Sequence, residues 1–150
     1  MRAAVVAALV AGGLPLWAVP ASAGTSGAEL TVTVSGLRSA RGQVLACLAS
    51  GAEAFPNCKA GTSRHARVAV TAGGEVTLDF GAVPPGTYAI SLFHDENGNG
   101  RIDKMMMIPR EGFGFSRDAP VRMGPPSFAS AAFAAGTRPE HLRVKLRYML

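Results

Sequence analysis

An all-β fold, a single antiparallel β-sandwich of about seven strands with one short helix at most, is what the sequence predicts. Apolar and polar residues alternate with a period of two in segment after segment, the repeat of strands that bury one face. Turn-forming residues recur between those segments, with 18 glycines and 10 prolines in 150 residues, so the strands are short and closely connected. Only Ser127-Phe128-Ala129-Ser130-Ala131-Ala132-Phe133 carries helix signals, with Ser127 as the N-cap.

The first stretch lies outside this pattern. Arg2 gives a positive start, residues 3–18 are almost wholly apolar, and Ala21-Ser22-Ala23 closes the stretch with small residues in the A-x-A pattern. This predicts a signal peptide over residues 1–23 and one β-sandwich domain over residues 24–150, long enough to bury a core of its own. A transmembrane anchor is the alternative, but Gly12, Gly13, Pro15 and Pro20 interrupt a run already short against the ~20 residues of a bilayer span. The expected location is secreted or periplasmic, with no membrane span after cleavage. In such an oxidising compartment Cys47 and Cys58 are expected to form a disulfide, which would contribute about 3 kcal/mol through chain entropy. A metal pair or a catalytic thiol fits their spacing less well. The basic excess is mild, 15 Lys and Arg against 10 Asp and Glu, and no basic run is interleaved with aromatics, so nucleic acid is not an expected partner.

Along the domain, Leu30, Val32 and Val34 alternate with Thr31, Thr33 and Ser35, which makes residues 28–37 the first strand. Residues 43–50 form the second, apolar on both faces and therefore covered on both. Residues 51–64 read as an irregular connection pinned at Cys58. Residues 66–71 and 75–80 read as a hairpin about Ala72-Gly73-Gly74, with Val68 and Val70 pairing against Val76, Leu78 and Phe80. Pro85-Gly86 suits the centre of a type II turn, and a strand over residues 87–94 follows it, alternating Tyr88, Ile90 and Leu92 with Ala89, Ser91 and Phe93. Met105, Met106 and Met107 suggest a return strand whose methionines fill an uneven core; a soft copper site is the weaker alternative, because adjacent strand residues face opposite ways. Residues 109–124 read as a packed loop. The final segment, 140–150, points Leu142, Val144, Leu146 and Tyr148 inward and Arg143, Lys145 and Arg147 outward.

The densest chemistry lies between these strands, at His94-Asp95-Glu96-Asn97-Gly98-Asn99-Gly100-Arg101-Ile102-Asp103. Asp95, Asn97 and Asn99 hold the first, third and fifth places of a calcium loop, Gly100 supplies the turn at the sixth, the Arg101 carbonyl the seventh and Asp103 the ninth. The twelfth place departs from the pattern, since Met106 cannot ligate a hard cation, so water or a further carboxylate (Glu96, Glu111 or Asp79) would have to close the shell. Affinity would then be about 10⁻⁴ to 10⁻³ M. The competing reading is a plain pair of Asn-Gly turns with solvated acids. His94, with nearby carboxylates, is a candidate acid/base group for hydrolysis, against the reading of a packed strand-end histidine. Phe113 and Phe115 are a candidate ligand surface if they face solvent, and core if they do not. The row of Arg143, Lys145 and Arg147 either meets anionic polymer or discourages edge pairing.

The motifs Pro84-Pro85-Gly86-Thr87-Tyr88-Ala89, Phe93-His94-Asp95-Glu96-Asn97-Gly98-Asn99-Gly100, Ile108-Pro109-Arg110-Glu111-Gly112-Phe113-Gly114-Phe115-Ser116 and Pro126-Ser127-Phe128 follow one another in an order that carries a family resemblance. The chain resembles DUF2141, a family of uncharacterised exported bacterial domains. The resemblance implies a small secreted or periplasmic β-sandwich and no activity. The sandwich expected is immunoglobulin-like or transthyretin-like, and the proline-glycine-tyrosine turn is similar to that of transthyretin-like and collagen-adhesin B-type modules, a likeness that bears on fold alone. The expectation is thus an exported, non-enzymatic, calcium-stabilised module that binds envelope polymer, glycan or protein. The alternative is a small secreted hydrolase using His94.

Overall fold

The computed structural model describes residues 27–58, 63–70 and 73–150; the expected signal peptide lies outside the described residues. The strands are β1 (Ala28–Leu37), β2 (Gln43–Ala49), β3 (Ser63–Ala69), β4 (Gly74–Val83), β5 (Gly86–Asp95), β6 (Lys104–Met105), β7 (Ile108–Pro109), β8 (Phe113–Phe115), β9 (Phe133–Ala135) and β10 (Glu140–Lys145). A 3-10 turn (Ser116–Asp118) and one short helix, α1 (Phe128–Ala131), complete the elements, and the chain is all-β as its alternation predicts. The side chain of Ser127 caps α1 by accepting from the Ser130 amide.

Two sheets enclose one core. The first has the order β10-β1-β4 and the second β3-β2-β5-β8, with β9 pairing the start of β5. Leu30, Val32 and Val34 of β1 and Leu78 and Phe80 of β4 face Val44, Ala46 and Leu48 of β2 and Ile90 and Leu92 of β5, all buried. The period-two alternation determines this, because a slip of one residue would turn every one of these side chains to the other face. The β1–β10 pair is parallel, so the sandwich is not wholly antiparallel. Beyond β10 the chain leaves the first sheet and bridges to β8, with Phe113 and Arg147 exchanging amide hydrogen bonds of 3.0 and 2.9 Å. That bridge ties the edges of the two sheets together.

Three expectations are corrected. The hairpin over residues 66–80 does not form: β3 pairs with β2 and β4 with β1, in different sheets. Val68 and Val70 of one segment and Leu78 and Phe80 of the next all pack into the core, and the two strands reach it from opposite sides. Arg64 spans the sheets by donating to the carbonyls of Phe80 and Ala82 at 2.9 and 2.7 Å. The methionines do not fill the core. Met106 and Met107, at φ 49° and 71°, form the two-residue turn between β6 and β7, and they are 91% and 86% exposed. Such a turn needs positive φ at both central positions and so projects both side chains from the tip. Residues 113–115, expected in a loop, are the strand β8, paired with β5.

A second apolar cluster covers part of the outer face of the β3-β2-β5-β8 sheet. Ala49, Ala54, Phe55, Ala89, Phe113, Phe115, Ala119 and Ala131 are buried there, with the Phe55 ring edge-on to Phe115 at 5.8 Å. The Cys47–Cys58 disulfide anchors the segment after β2 on this face. Phe113 and Phe115 therefore belong largely to a packed layer, and both also line a groove that runs over this face.

Candidate functional site

The alternation of β5 splits its last two residues between the two faces of the sheet. His94 points inward and is fully buried. Its Nε2 lies 2.7 Å from the Arg41 carbonyl, which can only accept, so that nitrogen carries a proton. Its Nδ1 lies 2.9 Å from the Tyr148 hydroxyl, which in turn accepts the Arg38 amide at 3.2 Å. Both ring nitrogens are thus held by protein atoms. Burial pushes the Tyr148 hydroxyl above its ordinary range. The Arg38 guanidinium stacks on the Tyr148 ring, 4.4 Å from its centroid, and donates from Nε to Glu96 at 3.0 Å. Glu96 also accepts from Ser39 at 2.7 Å, and the Arg38 hydrogen bonds hold its carboxyl below the usual range against burial.

Asp95 points outward, yet it too is fully buried, because the loop after it folds back over its carboxylate. Oδ1 accepts the Asn99 amide at 3.0 Å, and Oδ2 accepts the Gly100 amide at 2.8 Å and the Gln43 side chain at 2.9 Å. Burial raises its pKa, but the donors, Gln43 first and then the amides of Gly100, Asn99 and Gly98, outweigh that and hold it low. Gly98 and Gly100, at φ 72° and 78°, supply the left-handed backbone that turns these amides inward. Gly42, opposite the same strand end, has no room for a side chain: a Cβ there would lie 1.9 Å from the Asp95 carbonyl oxygen.

Glu111, 4% exposed, fastens the two ends of the loop together. It accepts the Glu96 amide at 3.0 Å on one oxygen and the Asp103 amide at 3.1 Å on the other. Burial, with the charges of Asp103 and Asp95 nearby, moves its pKa upward despite those two bonds. On the outside of the loop, Asp103 receives the side-chain amides of Asn97 at 2.7 Å and Asn99 at 3.1 Å.

Of the side chains singled out for a cation, Asn97, Asn99 and Asp103 therefore meet at one point. Asp95 lies beneath them through the shared Asn99 amide, Glu96 is drawn away to Arg38, and Glu111 is occupied with the loop's backbone. Asp79 sits on β4, where it accepts the Gly81 amide. Among the described residues no three His, Cys, Asp or Glu side chains come together as a metal-binding group. The sequence pattern did not reveal the partners that immobilise this region, Gln43, Arg38 and the Arg41 carbonyl. They lie more than 50 positions away along the chain, and local spacing carries no trace of them.

Beside the loop the outer sheet face is open. A groove of about 1140 Å³ runs over it, on the large side for a small-molecule site. Leu45, Cys47 and Phe93 line its floor. The loop and the β6–β7 hairpin contribute Ile102, Lys104, Met107 and Ile108, and the segment after the 3-10 turn contributes Arg122 and Met123. The apolar floor follows from the strand alternation: Val44, Ala46 and Leu48 serve the core, so Leu45 and Cys47 must face out.

A family described as an uncharacterized protein conserved in bacteria matches over residues 32–143. No curated protein and no solved structure matches the chain.

Proposed function

The chain belongs to DUF2141, and from that premise we propose that it is an exported, non-enzymatic binding module whose ligand lies in the groove on the outer face of the β3-β2-β5-β8 sheet. The observation that carries this reading is the groove itself, an apolar floor mounted on rigid strands and walled by the loop that Asp95 and Glu111 hold closed. The ionisable groups nearest that loop support the non-enzymatic part. His94 has both ring nitrogens engaged, and Asp95, Glu96 and Glu111 accept donors from within the fold. The Cys47–Cys58 disulfide fits an oxidising compartment outside the cytoplasm. An apolar fluorescent dye titrated into the chain, expressed as encoded, tests the groove. Saturable one-site binding is expected, abolished by Leu45→Asp and unaffected by Arg143→Gln on β10. Absence of saturable binding, or equal binding by Leu45→Asp, overturns the reading.

Calcium belongs to this proposal as a ligand of residues 95–103. Rotation of the Asn97 and Asn99 side-chain amides by 180° would turn their oxygens toward the focus that Asp103 already occupies, with the Arg101 carbonyl next in the loop. Those oxygens would give up the bonds they accept from the amides of Asn99 and Arg101, which limits the gain. With affinity at the weak end of extracellular sites, millimolar excess calcium would stabilise the fold by on the order of 1 kcal/mol, a melting-temperature rise of a few degrees. Thermal unfolding with and without calcium measures this, and Asp103→Ala should erase the rise. No rise in the unsubstituted chain removes calcium from the proposal and leaves the groove untouched.

A further inference from the structure

We infer that the occupant of the groove is an anionic amphiphile, a molecule with one long apolar chain and an acidic head, an inference that rests on the groove being a binding site. Among the described residues that line the groove three are charged, Arg67, Lys104 and Arg122, all cationic, and none is a carboxylate. All three are exposed, and none forms an ion pair among the described residues, whereas Arg38, Arg41 and Arg143 each have a glutamate partner. Cations left without counter-charges around an apolar floor complement a ligand that brings its own negative charge.

The floor selects the rest of that ligand. Leu45, Phe93 and Ile102 are only partly buried and offer no hydrogen bonds, so what they gain on binding comes from apolar contact. Met107 and Met123, unbranched and exposed along the wall, can adapt to a flexible chain without a fixed shape to match. Of the uncharged polar side chains in the lining, Gln43 and Ser91 are already bonded to Asp95 and the Pro56 carbonyl, which leaves a sugar little beyond Asn57 and His65 over an apolar floor. A small inorganic anion would leave that floor uncovered. A second copy of the chain would bring a mixed-charge surface to a rim of one sign.

The test displaces the apolar dye from the chain, expressed as encoded, using three probes kept below their micelle concentrations: dodecanoate, dodecyl maltoside and acetate. Dodecanoate should bind roughly tenfold more tightly than the neutral maltoside, the effect of about one charge pair at a partly desolvated rim. Its advantage should shrink as salt is raised, and acetate should not compete. Replacing the three cations together (Arg67→Gln, Lys104→Gln, Arg122→Gln) should bring dodecanoate down to the affinity of the maltoside while leaving the maltoside unchanged. Equal affinity of the two amphiphiles for the unsubstituted chain, or a triple variant that keeps the preference, overturns the anionic assignment and leaves the groove reading standing. If neither amphiphile binds, the groove reading fails with it. A concentration-dependent dimer that Leu45→Asp dissociates would instead make a second copy the occupant and overturn the inference.

Discussion

Asp95→Ala is expected to lower the unfolding free energy by about 4 kcal/mol, because it leaves three donors without their acceptor in a fully buried position. The Asn99 and Gly100 amides and the Gln43 side chain all converge on this one carboxylate, and each hydrogen bond to a charged group carries about 1.5 kcal/mol or more. Asp95→Asn retains one acceptor oxygen and should lose about half as much. Urea unfolding at neutral pH measures both. A loss below about 1 kcal/mol for the alanine variant would mean that the loop closes without its anchor, and the rigid wall of the groove would lose its basis.

The same residue sets the acid limb of stability. Because its folded pKa is lowered, Asp95 contributes stability that is complete above its unfolded value of about 4 and is lost as pH falls through the folded value. Glu96, also lowered, acts in the same direction. Glu111 acts oppositely: its folded pKa is raised, so its contribution is most favourable below its unfolded value of about 4.3 and declines as pH rises through the folded one. Unfolding free energy measured from pH 7 downward should therefore fall below about pH 4, and Asp95→Asn should flatten that fall.

His94→Ala is expected to cost a similar amount, about 4 kcal/mol, by a different route. It empties a fully buried volume at the end of the core and leaves the Tyr148 hydroxyl and the Arg41 carbonyl without their partner. His94→Phe restores the volume but neither hydrogen bond, and should recover roughly half of the loss. Both variants should keep the dye affinity of the folded chain, because His94 lies on the inner side of the sheet and is absent from the groove lining. A variant that stays fully stable, or that loses ligand binding while stable, would return His94 to the candidates for chemistry.

The parts of the fold legible in the sequence are those that local alternation controls. β1, β2, β5 and β10 bury one or both faces, and the period-two pattern marks each of them. Pairing is a different matter, since a strand's partner is fixed by which core it reaches. Residues 66–80 carry a sound hairpin pattern, yet the two strands join different sheets, and β10 runs parallel to β1 from the far end of the chain. Met106-Met107 lacks the Asn or Gly that usually announces a tight hairpin turn, so its exposure was hidden. At the loop, spacing revealed that Asp95, Asn97, Asn99 and Asp103 belong together. It did not reveal that Asp95 and Glu111 direct their oxygens at backbone amides, because that depends on which face of β5 Asp95 takes and on how the segment between β7 and β8 brings Glu111 back to the two ends of the loop. The groove was invisible because it is assembled from Leu45 and Phe93 on the sheet, Lys104 on the β6–β7 hairpin and Arg122 after the 3-10 turn, residues that only the tertiary fold brings together.

Amide chemical-shift mapping of the isotope-labelled chain titrated with dodecanoate locates the working surface most directly. Shifts should concentrate at Leu45, Phe93, Ile102, Lys104 and Arg122 and leave Arg143 and Lys145 on β10 unmoved. Shifts centred on β10, or an unchanged spectrum at saturating ligand, would contradict the account.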